Sequence, residues 1–176
     1  AEAFVAAFSA LKGGDRAAAN SARTDLTALN RTPPAPETGY VDPVPAILDK
    51  ELGAAFRQAD GDLDGAVALM REAVSLEDAM PVEFGPPGDV KPAHELLGEI
   101  LLQAGRPREA QRQFARALQL APKRALSLLG LGRAAVAAGD RATAARAYGD
   151  LRDIWHRADT NLPALAEAAR VLAARP

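Results

Sequence analysis

Residues 92–122 read PAHELLGEILLQAGRPREAQRQFARALQLAP. Leu97, Ile100, Leu101 and Ala104 recur at i, i+3, i+4 and i+7, which puts them on one face of a helix. Ala110, Phe114, Ala117 and Leu118 do the same for a second helix. Gly105 ends the first helix, and Pro107 sits in the first turn of the next. Gly98 and Ala110 are small where two such helices would cross, which allows close approach. The stretch predicts a helical hairpin made of two amphipathic helices and a tight turn.

A related unit starts 34 residues later, with Leu131-Gly132, Ala135, Ala144, Tyr148 and Leu151. Its end departs from the first, because His156 replaces the proline at 122, so its second helix is expected to run on to Arg157. In the other direction, Ala66, Met70 and Ala73 repeat the pattern moderately well. A first hairpin keeps Ala19 but has Arg23 at the large apolar position. Equivalent positions are offset by 47, 44 and 34 residues, and Pro-rich connections at 30–40 and 80–91 account for the two longer offsets. Hairpins are expected at about 2–30, 45–79, 92–121 and 124–158, with a last helix at about 162–175.

The string Leu97-Gly98, Leu101, Ala110, Phe114, Ala117, Pro122 resembles the tetratricopeptide repeat (TPR), with His94 where that pattern has Trp. The resemblance is closest over 92–155 and covers the chain at the level of hairpins. It implies an all-α fold: a right-handed TPR-like solenoid of four helical hairpins plus a C-terminal capping helix, as a single domain over 1–176. The run EFGPP, then KP and ELLGE, with the late WHRAD and LPALAEA, is similar to the C-terminal part of long bacterial TPR proteins of unknown function. That similarity implies further repeats upstream.

Composition agrees with closely packed helices. Hydrophobic residues make up 48% but aromatics only 5%, so the core must be built largely from Ala and Leu. Strands favour β-branched and aromatic residues instead. The absence of cysteine excludes disulfides, thiolate zinc sites and a cysteine nucleophile. A net charge of −2 exerts no global pull on nucleic acid or anionic lipid, and no apolar run is long enough to cross a bilayer. The opening AEAF lacks methionine, which predicts an excised piece or a processed mature chain; the compartment, cytoplasmic or exported, stays open.

Several strings invite a chemical reading. Asp60-Gly61-Asp62-Leu63-Asp64-Gly65 matches the first six positions of an EF-hand loop. Its twelfth position, which should be a bidentate Glu, is Arg71, so the expected role is a helix turn whose aspartates charge the next helix N-terminus. His94 and His156 stand in different hairpins with no convergent ligands, and no metal or cofactor is expected. No G-x-S-x-G, Walker loop or H-E-x-x-H occurs, and no catalytic residue is assigned. Arg108, Arg112 and Arg116 form a basic stripe, read first as a solvated helix face and second as a site for an acidic peptide or phosphate. Trp155 is expected to pack on the closing helix near Leu165, and Phe84 to anchor its own loop.

The resemblance also implies a binding face. In TPR proteins the first helix of each hairpin lines a concave groove. The lining positions here are Glu51 and Gln58, then Glu95, Glu99, Leu102 and Gln103, then Leu129, Arg133 and Val136. Glu95, Glu99, Leu129 and Arg133 stand where carboxylate-clamping TPR proteins carry Lys and Asn, so no carboxylate clamp is expected. The expected function is a non-catalytic scaffold or adaptor that binds a protein or peptide of basic or amphipathic character. The alternatives are a purely structural segment that stacks on upstream repeats or forms a homodimer, and a module that senses a divalent ion.

Overall fold

The structure, a computed structural model, describes residues 2–29, 42–80, 91–159 and 161–173. Among the described residues there are nine helices and no strand: α1 (Glu2–Lys12), α2 (Arg16–Leu29), α3 (Val44–Ala59), α4 (Leu63–Asp78), α5 (Ala93–Gln103), α6 (Pro107–Leu120), α7 (Ala125–Ala138), α8 (Arg141–Ile154) and α9 (Pro163–Ala173). Helices α1 and α2 pair, as do α3 and α4, and α7 and α8. Helices α5 and α6 meet through Gly98 and Phe114, and α9 packs on α8. The architecture is therefore all-α and repetitive, with four hairpins and a closing helix. Most of both Pro-rich connections, Phe84 included, and the end of the expected last helix lie outside the described residues. Two compact units divide the chain, Ala1–Leu96 and Leu97–Pro176, with the division inside α5.

One turn construction serves all four hairpins. Gly14, Gly61, Gly105 and Gly139 take φ values of 83°, 82°, 69° and 76°, a left-handed conformation in which a Cβ is penalised. Each donates its N–H to the carbonyl three residues back, and the residue after it donates to the carbonyl five back, at 2.8–2.9 Å. In three turns that next residue is an aspartate capping the following helix. Asp15, Asp62 and Asp140 accept from the N–H groups of Ala18, Gly65 and Thr143. The remaining turn has Arg106 in that place; Pro107 removes one orphan donor, and Arg106 pairs with Glu109. The first hairpin, a weak match by its side chains, thus carries the same turn as the third.

In the first unit, Phe4, Ala7, Ala19, Leu26, Leu48, Leu52 and Phe56 form one buried cluster. Arg23, which interrupts the apolar pattern, lies with its guanidinium 5.2 Å from the centre of the Phe56 ring and 3.9 Å from the Asp49 carboxylate. Arg16 approaches the same ring at 5.3 Å. A cation over an aromatic face replaces the missing apolar contact, while the aliphatic stem covers the core. At the end of α4, Glu77 accepts from the N–H groups of Ala93 and His94, capping α5 from a neighbouring helix. His94 is buried with Nε2 3.3 Å from Asp78.

In the second unit, large rings sit against glycines. Phe114 is fully buried, and a Cβ on Gly98 would meet its ring at 2.8 Å. A Cβ on Gly130 would collide with the same ring. One repeat later, Tyr148 occupies the place of Phe114, and a Cβ on Gly132 would meet it at 2.8 Å. Helix α8 ends at Ile154, not at Arg157 as the missing proline suggested. The amide of Ala158 bonds back to the carbonyl of Trp155, and the Trp155 ring packs into the cluster of Leu128, Tyr148, Leu151 and Ala168. That packing and turn stop the helix where a proline would have.

Glycine in a helix interior costs about 0.5–1 kcal/mol relative to alanine, so Gly→Ala normally stabilises. Gly149 of α8 has open space at its Cβ position, and Gly149→Ala is expected to stabilise by about 0.5–1 kcal/mol. Gly130→Ala is expected to destabilise by about 1–3 kcal/mol through overpacking against Phe114. Urea denaturation of the two variants beside wild type checks the pair. Shifts of the same sign would show that the Phe114 ring does not fix the spacing of α6 and α7.

Candidate functional site

The candidate lining residues separate by register. Glu51, Glu95 and Leu129 are equivalent positions at the repeat offsets, and Phe4 precedes them in the first hairpin. All four are buried, and Glu51 and Glu95 have no exposed surface at all. Phe4 and Leu129 each belong to a hydrophobic cluster, so this register points into the helix packing. Glu51 and Glu95, expected on the lining, are thus enclosed by the helix packing in this fold. Glu95 instead pairs with Lys91 at 3.0 Å under cover.

A different register reaches the surface. Gln58, Leu102 and Val136 are equivalent, and they are half-buried, half-buried and 50% exposed respectively. Gln58 belongs to the first unit. In the second, Glu99 is half-buried, while Gln103 and Arg133 are exposed. The structure therefore brings Glu99, Leu102, Gln103, Arg133 and Val136 to the surface of α5 and α7.

Arg133 already has a partner. Its Nε and Nη2 donate to the two carboxylate oxygens of Glu167 on α9, at 2.9 and 2.7 Å. The Tyr148 hydroxyl donates to the same carboxylate. Arg133, with Tyr148 assisting, holds the Glu167 carboxyl below the usual range against an opposing push from burial. Glu167 in turn raises Arg133. Burial, then the bond to Glu167, pushes the Tyr148 phenol up, so the hydroxyl stays a proton donor. Helix α9 also brings Ala164, Ala168, Val171 and Leu172 to the cluster containing Leu129. The C-terminal part of the lining is thus covered from within. Glu167 did not figure among the candidates, yet it stands 34 residues after Arg133, one further step of the same repeat.

The calcium-like loop is engaged in structural bonds. Arg16 donates to both oxygens of Asp60 at 2.6 and 2.8 Å and holds that carboxyl below the usual range. Asp62 is lowered chiefly by the Gly65 N–H that it caps, and then by Arg57. Among the described residues no group of three or more acidic or histidine side chains is placed to hold a metal ion. His156 is exposed, with Nδ1 2.9 Å from the Asp153 carbonyl.

Four hairpins with one turn, one small-to-large packing rule and a closing helix define a helical-repeat protein. A family model for the tetratricopeptide repeat matches residues 92–124, which span the third hairpin. TPR units are generally protein-interaction modules and typically carry no catalysis. No curated protein matches the chain. No helix among the described residues is long and apolar enough to cross a membrane.

Glu167 gives the closing helix an acid-sensitive latch. A carboxyl held below its unfolded value, about 4.3 for glutamate, contributes stability above that pH and loses it as pH falls through the folded value. Docking of α9 is therefore expected to weaken below about pH 4. Trp155, the only tryptophan, packs beside α9 and reports it by fluorescence. Glu167→Gln is expected to cost about 1 kcal/mol at neutral pH and to remove that part of the acid transition. Identical acid titrations of Trp155 emission in wild type and variant would show that Glu167 does not hold α9.

Proposed function

We propose that the chain is a non-catalytic interaction module that holds a peptide or helix of a partner protein against the α5–α7 face of its second unit. The observation that carries this reading is the division of labour on those two helices. One side is given to packing, with Gly98, Gly130 and Gly132 pressed against aromatic rings. The other keeps Leu102, Gln103 and Val136 at the surface with Glu99. Apolar contact would come from Leu102 and Val136. Charge preference would come from Glu99, because Glu167 already neutralises Arg133. A basic, amphipathic segment suits such a face better than an acidic tail.

The purely structural reading draws support from α9, which covers Leu129 and engages Arg133 without any partner. Divalent-ion sensing has less support, since Asp60 and Asp62 are bonded to arginines and a helix N-terminus.

Selection from a displayed peptide library separates the first two readings. Wild type is expected to enrich amphipathic sequences with Lys or Arg. A Glu99→Lys, Val136→Asp double variant is expected to lose that enrichment by about tenfold or more. Absence of enrichment, or the same sequences from both proteins, would favour the purely structural reading.

A further inference from the structure

On the other side of α7 from Arg133 and Val136, helices α6 and α8 bound a trough. Two cavities of about 700 and 670 Å³ lie along it and share Leu118, Leu128 and Asp150. The floor is apolar, with Leu118, Leu128 and Leu131. One end is rimmed by Arg108 and Arg112 of α6 and Arg146 of α8, all exposed. Among the described residues none of the three has a carboxylate ion-pair partner. Arg112 reaches the Arg108 carbonyl at 3.4 Å, and Arg146 reaches the Thr143 hydroxyl at 3.3 Å and lies close enough to Asp140 to help lower that carboxyl. Asp140, on the same wall, is occupied by the Thr143 N–H and the Gln111 side chain. The far end carries Asp150 and Asp153 with Lys123.

We propose that this trough docks an amphipathic helix from a partner protein, with its acidic end against Arg108, Arg112 and Arg146. The shape argues for a helix. On α6 the lining residues are 108, 111, 112, 115 and 118; on α8 they are 143, 146, 147, 150, 153 and 154. Both sets follow the three-and-four spacing of a helical ridge, and a third helix packs its own ridge into the groove between two such walls. From Arg108 to Leu118 the wall runs about 15 Å, about three turns of a helix. Three guanidiniums over an apolar floor call for carboxylates beside an apolar stripe. A free phosphate would leave the half-buried Leu118 and Leu131 uncovered. The acidic far end sets direction, since the partner's basic residues would meet Asp150 and Asp153. This occupant carries the opposite charge preference from the segment proposed for the α5–α7 face.

The test uses the whole chain and a synthetic, fluorescein-labelled helical peptide of about four turns, with a leucine stripe and glutamates at one end. Binding is read by fluorescence anisotropy. The control peptide carries lysine at each glutamate position. Wild type is expected to bind the acidic peptide at least about tenfold more tightly than the lysine peptide, with affinity falling as salt rises. Arg108→Glu with Arg112→Glu is expected to weaken binding by about tenfold or more. Arg108 lies in the first turn of α6, where glutamate suits the helix dipole, so that variant keeps its helix. Ala115→Glu, exposed in the trough wall, is expected to weaken binding similarly, and circular dichroism confirms folding of both variants.

Four outcomes overturn the proposal. The first is equal binding of the two peptides. The second is unchanged binding by the folded variants. The third is complete competition by tripolyphosphate with no contribution from the leucine stripe, which would make the trough an anion site. The fourth is sedimentation showing that wild type self-associates through the trough while both variants do not, which would make the occupant a second copy.

Discussion

The ring of Phe114 has glycine on two sides, Gly98 from α5 and Gly130 from α7, and neither position has room for a methyl group. Each glycine weakens its helix by about 1 kcal/mol. Burying a phenylalanine ring contributes about 1.5–3 kcal/mol, which offsets that cost while bringing three helices to a close, defined distance. Once this contact is set, the orientation of α5 and α7 is set with it. Residues on the glycine side are committed to packing, and only the remaining faces are available to partners. One repeat on, Tyr148 and Gly132 repeat the contact with a hydroxyl added. Phe114 faces another hairpin, whereas Tyr148 faces the last helix, and its phenol reaches the Glu167 carboxylate there. An aromatic body with a polar tip suits the position where the stack ends.

Much of this was legible because it depends on spacing. The turn glycines and the small-to-large pairs recur at the repeat offsets, and an aspartate follows the glycine in three of the four turns, so one well-marked hairpin locates the others. Sequence and structure part where residue type and register disagree. Glu51 and Glu95 are acidic, and acidity suggests a surface, yet their register is occupied by Phe4 and Leu129 in the flanking hairpins and points inward. Arg23 is charged, which made the first hairpin look degenerate, but its guanidinium serves as a cover for Phe56. Helix α8 ends at Ile154 without a proline, which is only one way to stop a helix. A tryptophan turned into a core and a backbone bond from Ala158 do the same. Register outranked chemistry in each of the first two cases, since packing fixes where a side chain points before its charge has any influence.

Helix α9 continues the repeat by one more step. Glu167 lies one repeat length after Arg133, so the salt bridge joins equivalent positions on successive first helices. Its effect is electrostatic as well as steric. Free, Arg133 would give the α5–α7 face a cation beside Glu99 and no clear preference. On the proposed reading, with Arg133 bonded to Glu167, any carboxylate that a partner brought to this face would have to displace one already held bidentately by Arg133 and bonded to Tyr148. The trough between α6 and α8 is built the other way, with Arg108 and Arg112 outside any carboxylate ion pair among the described residues. On the proposed readings, a single unit of helices thus separates partners by charge on its two sides, and the closing helix makes that separation sharp on the α5–α7 side.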